Sequence, residues 1–117
     1  MFKARIKDIY RKEIRQGYAG IKGGGGYYRT PYGYYNGAGG FSSYPERMII
    51  LQVWLFRRHK YAYIDIYDDL RDATGRQRIT GGYLNQLREN NVGEVVDVYY
   101  DRDDDDWYLS NIYDLTL

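Results

Sequence analysis

The chain has 117 residues, 44% of them hydrophobic, with 17 Lys/Arg against 16 Asp/Glu and no cysteine. That length fits one domain with an extension, and the absence of cysteine excludes a disulfide framework, thiolate zinc sites and a cysteine nucleophile. The longest apolar run, Met48 to Phe56, is interrupted by Gln52 and falls far short of the ~20 residues a membrane-spanning helix needs, so the chain reads as cytoplasmic with no membrane partner.

The near-neutral total hides a polarised distribution. Residues 1–60 carry 12 Lys/Arg and 3 Asp/Glu, a net of +9, while residues 61–117 carry 5 and 13, a net of −8. A basic first half of this kind seeks nucleic acid, or the acidic second half of a neighbouring copy.

In residues 1–16, Phe2, Ile6, Ile9, Tyr10 and Ile14 recur at helical spacing opposite Lys3, Arg5, Lys7, Arg11, Lys12 and Arg15. This predicts a basic amphipathic helix ended by Gly17. Such a helix packs on its own domain or a partner subunit, or lies on nucleic acid or a membrane surface. Residues 17–45 form a Gly/Tyr-rich arm or linker, with Tyr27, Tyr28, Arg29, Tyr32, Tyr34 and Tyr35 crowding its middle. Tyrosines offer apolar area and a hydroxyl at small entropic cost, and beside an arginine they can stack on bases. The Gly23–Gly26 run lacks the Gly-Lys-Ser/Thr ending of a phosphate loop.

Residues 46–117 read as the folded domain. Met48 to Phe56 are apolar nearly all round, and the cationic Arg57-Arg58-His59-Lys60 ending predicts a buried helix starting near Pro45, with a buried strand as the rival reading. Tyr61 to Ile66 alternate as a short strand. A second helix is expected over Ile66–Thr74, capped by Asp65 and ended by Gly75. A third opens near Thr80, with Tyr83, Leu84 and Leu87 inward and Asn91 as a left-handed cap. Two strands follow, Glu94–Tyr100 and Trp107–Tyr113, around the acidic tip Asp101, Asp103, Asp104, Asp105 and Asp106.

The order of these segments resembles a winged helix-turn-helix, and among such domains the PadR-type transcriptional regulators. The residues that carry the resemblance are Ile49–Phe56, Ile64-Asp65-Ile66, Thr74-Gly75, Tyr83-Leu84-Asn85-Gln86-Leu87 and Tyr113-Asp114-Leu115-Thr116. The resemblance implies a mainly α fold with a small β-hairpin, an α+β winged helix preceded by a basic helix and an arm. It further implies a regulator that binds double-stranded DNA through helix three. Arg76, Gln77, Arg78, Thr80, Tyr83, Asn85, Gln86 and Arg88 would meet bases or phosphates, and Arg57, Arg58 and Lys60 the backbone. The aspartate-rich wing would repel phosphates and suits a basic partner instead.

The alternative is an assembly protein that self-associates through the N-terminal helix and the arm, the arm docking on the acidic body of a neighbour. A third reading is an inhibitor that masks another protein's nucleic-acid site with these aspartates. Asp101, Asp103 and Asp105 match the opening of a calcium loop, but Asp106 and Ile112 stand where that loop needs Gly and Glu. His59 is the single histidine and has no carboxylate or serine partner nearby in sequence. No catalytic residue, metal site or cofactor is therefore expected.

Overall fold

The computed structural model describes residues 1–15 and 45–117. In chain order these form β1 (Phe2–Arg15), β2 (Pro45–Leu55), β3 (Lys60–Asp65), α1 (Tyr67–Thr74), α2 (Gly81–Asn91), β4 (Val95–Asp101), β5 (Asp106–Leu109) and a 3₁₀ turn at Ile112–Asp114. The chain divides into two units, Met1–Lys12 with Met48–Leu117, and Glu13–Arg47. Of the second, only the ends of β1 and β2 are described, with an ion pair between Arg47 Nε and Glu13 Oε2 at 3.9 Å.

The fold is mainly β, which overturns the mainly α winged helix and with it the PadR likeness: five antiparallel strands are accompanied by two helices. The expected helix over residues 1–16 is β1. Its inward residues Ala4 and Ile6 alternate, and the next is Ile9. That one-residue shift of phase, as a β-bulge makes, is what mimics helical spacing. The expected helix after Pro45 is β2. Ile49, Leu51, Val53 and Leu55 are fully buried, while Gln52, Trp54 and Phe56 on the other side stay half-exposed. The run is apolar all round because both faces of one strand are apolar.

Strand β3 alternates as expected, with Ala62 and Ile64 inward. Helix α1 begins one residue later than predicted. Ile66 is its N-cap, and Asp65 Oδ1 accepts from the Tyr67 amide at 3.0 Å. Gly75 ends it in the left-handed region, at φ 71°. Thr80 caps α2, accepting from the Tyr83 amide at 3.2 Å. Asn91 is not the left-handed cap; it is the last helical residue, and Gly93 carries the positive φ of 98°. Beyond β5 the expected strand stops at Leu109 and gives way to the 3₁₀ turn.

The sheet order is β3-β2-β1-β4-β5. β1 is therefore central, and it meets β4 with Phe2 opposite Val98 and Arg5 opposite Val95. The sheet curls until its edge strands β3 and β5 lie alongside each other without joining the hydrogen-bonded ladder. Five strands in this order, with the helices inserted between β3 and β4, have the connectivity of an OB fold, a partly open Greek-key barrel.

The inward residues of all five strands form one core with Leu70, Ile79, Tyr83, Leu84, Leu87 and Leu115. The helical segment is tied to the Ile9 end of β1: Arg88 Nε donates to the Ile9 carbonyl at 2.7 Å, and Arg11 donates to that of Ile79. The opposite end is rimmed by Phe2, the β2–β3 turn and the β4–β5 hairpin. Among the described residues, no helix is long and apolar enough to cross a membrane.

Candidate functional site

The residues expected to enter a DNA groove are not gathered on one helix face. Thr80 caps α2 and Tyr83 is buried, its hydroxyl 3.4 Å from the Leu117 carbonyl. Arg88 is committed to the Ile9 carbonyl, to Asn85 and to Asp8, the last at 3.6 Å. Arg76 stacks on the Tyr83 ring at 3.8 Å. Gln77, Arg78 and Gln86 are exposed. Arg57, Arg58 and Lys60 lie in and beside the β2–β3 turn at the far end of the barrel. Tyr27, Tyr28, Arg29, Tyr32, Tyr34 and Tyr35 lie outside the described residues, and so does the arm-mediated self-association that rests on them.

The acidic tip is a tight hairpin turn and not a wing of a winged helix. Asp101 Oδ1 accepts from the Asp103 amide at 2.9 Å, and Asp106 Oδ1 from the Trp107 amide at 2.8 Å. Tyr108 donates to Asp104 at 2.6 Å, and Tyr100 donates to Asp105. These bonds favour the neutral phenols. They raise the Tyr100 pKa and push that of Tyr108 up to about 12. No group of three or more potential metal ligands occurs among the described residues.

What the fold does gather is the outward face of β1, β2 and β3, the side away from the core. Strand alternation decides its membership. β1 places Arg5 there between buried Ala4 and Ile6, and Lys7 follows at the next alternate position, exposed. β2 places Gln52 and Trp54 there, and Phe56 follows at the start of the β2–β3 turn. β3 places Tyr61 and Tyr63 there, opposite Trp54 and Gln52 respectively. Tyr61 and Tyr63 keep 46% and 50% of their surface exposed, so both side chains are accessible to a ligand.

The aromatic rings are fixed by one another. Trp54 and Tyr61 meet edge to face at 4.9 Å, and His59 meets Trp54 at 6.4 Å. Such pairs contribute about 0.5–1.5 kcal/mol beyond burial. Arg5 lies over the Phe56 ring at 5.4 Å and donates to the Gly93 carbonyl at 2.6 Å. Tyr10 extends the row: its pKa is raised by burial first, then by the neighbouring Tyr63 and by Asp8. Lys3 is bridged to Asp97 at 2.9 Å. Lys7 makes no ion pair among the described residues and is exposed.

This arrangement presents flat π-surfaces beside fixed cations. Reading β1 and β2 as helices hid it. Its signal in the sequence was the alternation Gln52-x-Trp54-x-Phe56 and Tyr61-x-Tyr63, which only a strand turns into one face. No protein family, curated protein or solved structure matches the chain.

Proposed function

We propose that the chain binds single-stranded nucleic acid across the outward face of β1, β2 and β3. The observation that carries this reading is the row Trp54, Tyr61 and Tyr63, half-exposed and flanked by Arg5 and Lys7. Unpaired bases stack on such rings, and the adjacent cations hold the phosphates. Strands two and three of an OB barrel are also where that fold takes up oligonucleotides or oligosaccharides. The cations of β1 favour the charged polymer over a neutral sugar. A duplex offers this face no free base surface, so the expected order is single strand over duplex.

Fluorescence anisotropy with labelled oligo-dT, oligo-U and a duplex of the same length tests the reading. Each base–aromatic stack contributes about 1–3 kcal/mol. Tyr63→Ala is therefore expected to weaken single-strand binding roughly tenfold, and Trp54→Ala with Tyr61→Ala roughly a hundredfold or more. Circular dichroism of each variant should show an intact sheet. Tighter binding to the duplex, or unchanged affinity in folded variants, overturns the proposal.

A further inference from the structure

A second region of the molecule, apart from the outward face, has nucleotide-like complementarity. At the end of the barrel away from the helices, Arg58, Lys60, Tyr100, Asp105 and Trp107 line a cavity of about 390 Å³. That size falls within the range of about 300–1,000 Å³ for small-molecule sites, which favour the mouths of β-barrels. It shares no residue with the stacking row.

The lining is chemically mixed in a specific way. Trp107 and Tyr100 form an aromatic wall, their rings 5.4 Å apart, and Phe2 buttresses Trp107 edge to face at 5.4 Å. Two cations are held at the rim by aromatic faces: Arg58 lies over Phe2 at 5.0 Å and Lys60 over Trp107 at 5.9 Å. One carboxylate, Asp105, faces them across the cavity. Its Oδ1 accepts the Tyr100 hydroxyl, which fixes the side chain, and its Oδ2 makes no hydrogen bond to the described residues. A simple anion would be repelled by Asp105 and a simple cation by Arg58 and Lys60. The ligand that satisfies all three features carries a π-face, an edge of N–H donors and a separate negative group.

We infer that this cavity is a second site, independent of the outward face, and that it takes a guanine nucleotide. Guanine presents two adjacent donors, N1–H and the N2 amino group, to one carboxylate, as an arginine does. Its ring lies on the Trp107–Tyr100 wall, and its phosphate reaches Arg58 and Lys60. Uracil has a single N3–H between two carbonyl oxygens, which the Asp105 carboxylate repels.

The two tryptophans, Trp54 and Trp107, allow the sites to be read separately. In the full chain carrying Trp54→Phe, tryptophan emission, excited selectively over tyrosine, comes from Trp107 alone. Titration with guanosine 5′-monophosphate is expected to change that emission saturably. Uridine 5′-monophosphate should bind about tenfold more weakly, the factor made by one hydrogen bond to a charged group. Asp105 has a positive φ of 54°, a conformation asparagine tolerates, so Asp105→Asn keeps the turn and should abolish the base preference. Lys60→Met should reduce the advantage of the monophosphate over guanosine, and Lys60→Met with Arg58→Met should erase it.

A Trp107 signal that does not respond to the guanine nucleotide, or responds equally to both nucleotides, overturns the inference. So does a base preference that survives Asp105→Asn. The outward face is read from Trp54 in the Trp107→Phe chain with oligo-dT, so the failure of either site is distinguished from the failure of the other.

Discussion

Asn91 is the one polar residue buried among the described residues, at 1% exposure. Its amide nitrogen donates to the Leu87 carbonyl at 2.9 Å and the Thr116 carbonyl at 3.0 Å, and its oxygen accepts from the Thr116 amide at 2.7 Å. It thus joins the end of α2 to the last residues of the chain. Asn91→Ala leaves the Thr116 amide and carbonyl without these partners and is expected to cost about 3 kcal/mol in a denaturant melt. The sequence showed an Asn at a helix end, and Asn suits a left-handed cap. The C-cap is Val92 in an extended conformation and the positive φ falls at Gly93 beyond it, while Asn91 is drawn inward, a tertiary demand with no local mark.

Tyr108 supplies a test in pH. Its phenol donates to Asp104, so the folded chain holds that proton more tightly than the unfolded chain does. The resulting stabilisation is fully present below the ordinary value of 10.0 and is lost as pH rises through about 12. In an ultraviolet titration Asp104→Asn should bring the late-ionising tyrosine back toward 10.0. An unchanged titration curve would remove Asp104 as the cause.

Among the elements, α1, α2 and the closing hairpin were legible because their signals are local: Gly75, Thr80 and the run of aspartates between two alternating strands. β1 and β2 were not. The bulge before Ile9 converts a period of two into a step of three. On the outward side of β2, Trp54 and, just beyond the strand, Phe56 are apolar, so the inward–outward contrast that marks a strand is erased. The residues of the proposed binding face are the ones that blur the strand signal. Alternation along β2 is testable: Leu51→Ala should cost about 2–5 kcal/mol as a fully buried truncation, whereas Gln52→Ala beside it, outward and half-exposed, should change stability by about 0.5 kcal/mol or less. Similar losses at both positions would contradict the strand.

For the whole molecule, the division of charge was plain in the sequence, and the fold gives part of it a location. Cations of the first half lie on β1 and in the β2–β3 turn. Acids of the second half collect on α1 and at the β4–β5 tip. Which residues share a surface was not legible, because β1 meets β4 across most of the chain and pairings at such separations leave no periodic trace. If Lys3, Arg5 and Lys7 each neutralise one phosphate, the logarithm of single-strand affinity should fall with the logarithm of salt at a slope of about −2. Arg5→Gln with Lys7→Gln should flatten the slope to about −0.7. A slope indifferent to these changes would place the phosphates elsewhere.

The central position of β1 also sets an order of events during synthesis. Phe2 pairs with Val98, so β1 leaves the ribosome well before β4 and its β4 side stays uncovered for on the order of 5–20 s at ordinary elongation rates. During that interval it is an open edge, the kind of surface on which nascent chains aggregate. Lys3, Arg5 and Lys7 stand at every second position along it, and charged side chains so placed deter a second strand from adding. The cations proposed to hold phosphates in the finished barrel protect the unfinished one from its neighbours.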